Sequence, residues 1–358
     1  MKAKIDPNTG QPSIEFGTVE DFKTIAHLWD KLFPPKTRFL KSKPSYLFEF
    51  YSDDKIKWLK SSDNEIKAPC EVIHDYRKNP ISNWGTCVYK GDYAFPNKLS
   101  RVKELMVAKF SKAGKLSKGS GICPRVSNVS VQDNMLAIDI ERASYYDQVA
   151  TNLSLDFKHN EEIAESLGAK TIREWDIKQS KTKKGSIPSF TKSRLANTIG
   201  VAMAIVATNK RGQKVILIRK RTSDVAVFEN TLTLPFSFVL NFEPHNMEPG
   251  QTDSILNLIK PDFRHEQAQE LGLEPHEIDF ANVKPILFCR ELCRGGKPQF
   301  ILEIEIKTLF VELASRIVEA PTLKPEYTSK LLGRSIENAK KLKQELSHDL
   351  LAYLVAKS

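Results

Sequence analysis

The stretch that most constrains the fold is 199–209, IGVAMAIVATN. Its small and branched apolar residues predict a β-strand. KRGQ (210–213) then reads as a turn and KVILIRKRT (214–222) as a second strand, so the two form a hairpin. A lone hairpin is marginal in water and needs further strands or a helix to cover it. The chain supplies them: TLTLPFSFVLNF (231–242), VKPILFCREL (283–292) and QFILEIEIKTLF (299–310) all read as strands. The last two are joined by a Gly-Gly turn, CRGGKP (293–298). Over 335–356, Ile336, Ala339, Leu342, Leu346, Leu350 and Leu354 recur at helical spacing and predict a packing helix.

The first half is patterned differently. TVEDFKTIAHLWDKLF (18–33) predicts a helix capped by Thr18, with Asp21 three residues on and one stripe of Phe22, Ile25, Leu28, Trp29 and Leu32. Short alternating runs at 85–91, 121–133 and 135–143 read as strands, with QDN (132–134) turning between two of them. SYYDQVATNLSLD then begins a helix. Residues 1–175 are thus a mixed α+β region, and the chain as a whole is α/β in the α+β sense. The polar, Lys- and Ser-rich segment ending at Pro188 makes 176–194 the expected linker to a second domain, 195–358.

A length of 358 residues suggests about two domains. No apolar run is long enough to span a bilayer, and the N-terminus lacks the apolar core of a secretory signal. The five cysteines (Cys70, Cys87, Cys123, Cys289, Cys293) contain no C-x-x-C pair, so a structural zinc site is not expected. Cys289 and Cys293 read as small buried residues, and all five as reduced thiols of a cytoplasmic protein. The net charge of +10 favours an anionic partner: nucleotide phosphates, RNA, DNA or an acidic protein. Its small Lys/Ser/Gly clusters at 111–121 and 178–186 are either solvated loops or phosphate contacts, and 111–121 does not match the phosphate-loop pattern.

The segment PDFRHEQAQELGL (261–273) carries the most chemistry. On a helix Glu266 and Glu270 share a face, and Asp262 lies one turn earlier on it. Carboxylates so placed can hold Mg²⁺ or Mn²⁺, which bridges to substrate phosphates and acidifies a bound water. Pro261 suits the first helical turn and Gly272 a left-handed cap. The alternative is an ordinary surface helix, with Phe263, Ala268 and Leu271 inside and the charges in water. Arg219 and Arg221 share a strand face as phosphate contacts or as surface charge. His265 is a base near neutral pH or incidental. Glu303 and Glu305 alternate with Leu302, Ile304 and Ile306, which puts both on the non-core face of their strand.

Four stretches in order resemble the Nudix hydrolase family: the hairpin GVAMAIVATNKRGQKVILIRKR, the strand LTLPFSFVL, the loop MEPGQTD (247–253) and the helix HEQAQELGL (265–273). The resemblance spans roughly 195–320. It implies a mixed-sheet α/β/α sandwich and hydrolysis of a nucleoside diphosphate linked to another group. It places Glu266, Glu270, Asp262 and a downstream acid, Glu303, on Mg²⁺ or Mn²⁺, with Glu266 and Glu270 catalytic. It places Arg219, Arg221, His265 and Gln269 on the substrate. The match departs from the family pattern at several positions. His265 stands where an arginine is expected, Gln267 replaces an aliphatic residue, and Gln269 and Gln251 replace glutamates. Phe236 and Ser237 replace the glycines after LP, and SILNLIK (254–260) inserts extra length that reads as a short helix. Glutamine offers a neutral oxygen, not an anionic ligand. A binding module that has kept the fold and lost the metal site is therefore the competing expectation, sensing a nucleotide or nucleic acid. A third is a nucleic-acid scaffold using the first half.

Overall fold

The structure is a computed structural model, and it describes residues 2–5, 12–15, 45–62, 67–78, 84–114, 116, 121–157, 159–222, 230–242, 247–263, 271–273, 277–319, 327–342 and 346–358. It divides into two compact units, Met1–Lys43 and Pro44–Ser358. In the first, β1 (Lys2–Ile5) and β2 (Pro12–Glu15) pair antiparallel, with Lys2 opposite Glu15 and Ile5 opposite Pro12. The helix expected at 18–33 lies outside the described residues.

The second unit begins with α1 (Ser45–Phe50), β3 (Trp58–Lys60), β4 (Lys67–Asp75), β5 (Thr86–Asp92), α2 (Ser100–Lys112), β6 (Ile122–Gln132) and β7 (Met135–Ser144). Three short helices follow: α3 (Tyr145–Ala150), α4 (Glu161–Leu167) and α5 (Ile172–Gln179). Next come β8 (Gly200–Thr208), β9 (Lys214–Arg221), β10 (Leu232–Thr233), β11 (Phe236–Val239), β12 (Thr252–Ser254) and α6 (Ile255–Ile259). The chain closes with β13 (Lys284–Glu291), β14 (Lys297–Leu309), α7 (Phe310–Glu319), β15 (Tyr327–Arg334), α8 (Ile336–Lys340) and α9 (His348–Ala356). The class is α+β. Among the described residues no helix is long and apolar enough to cross a membrane.

A large mixed sheet runs in the order β10-β9-β8-β14-β13-β4-β3, with β11 also on β8 and β15 on β9. A smaller one runs β12-β5-β7-β6. β8 and β14 are parallel, as are β5 and β7; the other neighbours are antiparallel. Burial explains the continuous apolar run in β8. Val201, Met203, Ile205 and Ala207 enter a core shared with Leu136, Ile138 and Ile140 of the small sheet. Ala202, Ala204 and Val206 enter a second core with Leu350, Tyr353 and Leu354 of α9. The period-2 alternation of a strand thus feeds two apolar layers, one on each face.

The expected strands 85–91, 121–133, 135–143, 199–209, 214–222, 283–292 and 299–310 correspond to β5, β6, β7, β8, β9, β13 and β14. Asp133 and Asn134 both have positive φ, which suits the two-residue turn between β6 and β7. The single strand expected at 231–242 is two. Pro235 cannot donate to a ladder, so the chain breaks there; β10 pairs with β9 and β11 with β8. The helix expected over 335–356 is also two, because Ser347 caps a fresh start: its Oγ accepts from the Leu350 N–H, and its own N–H donates to Leu232 O at 2.7 Å.

The expected linker at 176–194 is where sequence and structure differ most. The contacts divide the chain at 43/44 instead, and β3 and β4 join the same sheet as β13. Two polar side chains of this segment, Asp176 and Ser193, are buried in the fold. Asp176 accepts from Ser193 Oγ at 3.0 Å and from the Arg194 N–H at 2.6 Å. Arg125 donates to Ser193 O and Leu195 O, and Ile199 N–H donates to Pro124 O, which ties the small sheet to the start of β8.

Two outcomes test this packing. Gly85 has a φ of +89°, and a Cβ there would run into the Leu136 carbonyl of the neighbouring strand. Gly85→Ala is expected to cost about 2–4 kcal/mol of unfolding free energy by urea titration. Burial pushes the Asp176 carboxyl up to about 6. A raised folded-state pKa means that its stabilising contribution is complete below the unfolded value, near 4, and is lost as pH rises through 6. Unfolding titrations at pH 4 and pH 7 should therefore show the wild type losing stability relative to Asp176→Asn across that window.

Candidate functional site

Residues 264–270, with His265, Glu266, Gln269 and Glu270, lie outside the described residues, but both ends of the segment are placed. Before it, Lys260–Phe263 is a turn of 3₁₀ helix. Phe263 is buried, with ring centroids 5.6 Å from Phe236, 5.0 Å from Phe238 and 5.5 Å from Phe280. After it, Leu271 and Leu273 are buried in the same core as Phe263, the one on the small-sheet side. Gly272 between them has a φ of +63°, the left-handed conformation its position predicts. Its carbonyl accepts from Arg316 on α7 at 3.1 Å, and Arg316 is itself paired with Glu277 at 2.7 Å.

Arg219 and Arg221 are on this face too. On β9, Leu217 enters the small-sheet core while Ile216 and Ile218 enter the α9 core, so the odd positions 219 and 221 continue the Leu217 side. Both are buried, Arg219 to 1% exposure, so they are internal cations, not surface charge.

The acids expected beside them divide. Asp262 stays on the Phe263 side of the fold. It accepts the Asn241 N–H at 2.7 Å, and burial raises its carboxyl to about 6. Glu303 does not join it. On β14 Leu302, Ile304 and Ile306 face the small-sheet core, so Glu303 points to the opposite layer. There it accepts the Tyr353 hydroxyl at 2.6 Å and pairs with Lys357 at 2.9 Å, both at the end of α9. The alternation that puts Glu303 off the core-facing side of β14 also keeps it from Asp262. Glu305 is exposed and pairs with Lys214 at 2.8 Å. Gln251, at a family glutamate position, uses its side-chain carbonyl locally to accept the Glu248 N–H at 3.0 Å.

Sequence reading missed a second polar cluster under α9. Glu291, Cys293 and His348 are buried, and one ligand-type atom of each lies within 4.8 Å of the others. Lys297, fully buried beside Gln299 at 3.3 Å, has its amine depressed to about 7 by burial. The residues are 57 positions apart at their extremes (348 − 291), and no local spacing pattern announces them. All five cysteines are buried free thiols.

No known family profile matches the chain, and no curated protein matches it. Among solved structures, DR0079 from Deinococcus radiodurans aligns at 15% identity over 44% of this chain and 81% of its own, with a TM-score of 0.29.

Tyr353→Phe is expected to lower stability by about 0.5–1.5 kcal/mol in denaturant titration, since it strips a hydrogen bond from a half-buried carboxylate that keeps its Lys357 partner. Nucleotide binding or turnover should be unchanged.

Proposed function

We propose that residues 195–358 form a Nudix-like mixed-sheet sandwich that hydrolyses a pyrophosphate bond in a nucleoside diphosphate linked to another group, using Mg²⁺ or Mn²⁺. One observation carries this reading. The segment bearing Glu266 and Glu270 is anchored at both ends, through Phe263 and through Leu271 and Leu273, to the sheet face that holds Arg219 and Arg221. Carboxylates and guanidiniums on one face are what a metal-bound polyphosphate requires.

Glu303 is engaged elsewhere and Asp262 already accepts a backbone hydrogen bond, which leaves Glu266 and Glu270 as the residues that would hold the ion. Two carboxylates suffice for Mg²⁺, whose remaining positions go to water and to substrate phosphate. When bound, the ion polarises a phosphoryl oxygen and supplies an acidified water. Glu266 and Glu270 hold it, Arg219 and Arg221 set a positive potential for the phosphates, and His265 and Gln269 lie within the same segment to orient the substrate. The positive net charge of the chain favours approach of such an anion.

Gln251 and Gln269 favour a second reading, a nucleotide-binding module without turnover, because each puts a neutral oxygen where an acid would hold metal. A nucleotide panel assayed with Mg²⁺ or Mn²⁺ separates the two. The enzyme reading expects metal-dependent release of phosphate products, reduced roughly a hundredfold or more in Glu270→Gln. Turnover that survives Glu270→Gln unchanged overturns the assignment of the site. Nucleotide binding in EDTA with no turnover supports the binding module instead.

A further inference from the structure

The cluster under α9 is built differently from the candidate active site and lies on the other face of the large sheet. We propose that Glu291, Cys293 and His348 form a buried site for one zinc-type divalent cation, which clamps the start of α9 to the β13–β14 hairpin.

The case begins with His348. Its Nε2 lies 3.0 Å from the Pro69 carbonyl oxygen, which can only accept, so Nε2 carries the hydrogen. In the neutral ring Nδ1 then holds a lone pair. That atom faces Glu291 Oε1 at 2.8 Å. Both atoms are buried and within ion-pair distance of each other. Two buried lone-pair atoms therefore converge on one point, and Cys293 Sγ completes the group within 4.8 Å. Ligand atoms around tetrahedral zinc sit roughly 3.3–3.8 Å apart, given bonds of about 2.0–2.3 Å. The 2.8 Å His348–Glu291 pair is shorter than this and opens as the ion enters, within a group that spans no more than 4.8 Å. A metal-bound histidine usually donates its other ring N–H to a carbonyl, and Pro69 supplies one. The second Glu291 oxygen is held by Arg294, which fixes the carboxylate.

The Glu291 carboxylate and a Cys293 thiolate offset the charge of a dication, with the neutral His348 ring as third ligand. The other polar groups facing the cluster are Arg173, which donates to Cys293 O at 3.0 Å, and Lys297. The thiols of Cys70, the register partner of Glu291, and of Cys289 also face it. Sulfur and nitrogen donors select a borderline-soft ion over Mg²⁺. All three ligands are buried, so the ion serves folding and not substrate. The rest of this helix start is already tied to β10: Ser347 N–H donates to Leu232 O, and Thr233 Oγ1 donates to Asp349 at 3.2 Å.

Metal analysis of the full-length chain purified without chelator, followed by cobalt substitution, tests the site. The expected content is about one zinc per chain, and chelation should lower the thermal midpoint until zinc is restored. Cobalt should give tetrahedral visible bands and a thiolate charge-transfer band that Cys293→Ser abolishes and Cys87→Ser keeps. His348→Gln should weaken zinc binding roughly tenfold or more. If Cys293→Ser does not fold, the wild-type cobalt spectrum decides alone. A metal-free chain with the same midpoint in chelator, or bound cobalt without a thiolate band, overturns the proposal and leaves His348 paired with Glu291 alone. Neither result bears on nucleotide turnover, which depends on the opposite face.

Discussion

The second unit depends on β8 being buried on both sides. Its residues alternate between a core closed by the small sheet and a core closed by α9, and β9, β11 and β14 all pair directly with it. The parallel pairing of β8 with β14 sets the rest of the geometry. It brings the end of the chain back beside the start of the C-terminal half, so that the last hairpin can extend the sheet through β13 to β4 and β3. Each fully buried aliphatic side chain contributes about 1.5–3 kcal/mol, and a strand with two buried faces gathers that stabilisation at nearly every position.

Much of this was legible in the sequence because strands and turns are local. Alternation fixed β6, β7, β9 and β14, the Asp133–Asn134 pair fixed the turn between β6 and β7, and SILNLIK is the short helix its pattern predicts. What was not legible came from long-range pairing. The Lys- and Ser-rich run before Pro188 has the composition of a linker, yet it is bracketed by a buried bond between Asp176 and Ser193, and Arg125 of β6 donates to the Ser193 carbonyl. The first half likewise carries no sign that Lys67–Asp75 will pair with β13, since its partner is more than two hundred residues away.

The site shows the same division. Gly272 was readable as a left-handed cap, because only a residue without a Cβ fits there cheaply. The face of Arg219 and Arg221 was readable from strand period, although their burial was not. Glu303 was expected on a non-core face, yet its side of β14 carries Ile301 into the second core. Which layer covers that side was not visible, and it is α9, with Tyr353 and Lys357, that takes up the carboxylate. Glu291, Cys293 and His348 were invisible as a group because the end of β13 and the start of α9 come together only after folding. The two faces of the large sheet thus differ in chemistry: buried guanidiniums on one, and a mixed sulfur, nitrogen and oxygen cluster on the other.

The most direct test of the central claim is to locate the metal and the nucleotide together. A crystal of the full-length chain soaked with Mn²⁺ and a non-hydrolysable nucleoside diphosphate analogue would show the ion by anomalous scattering. The account predicts Mn²⁺ between Glu266, Glu270 and the phosphates, on the sheet face that holds Arg219 and Arg221. Nucleotide bound on the α9 face, or bound with Glu266 and Glu270 turned to solvent and no ion between them, would contradict it.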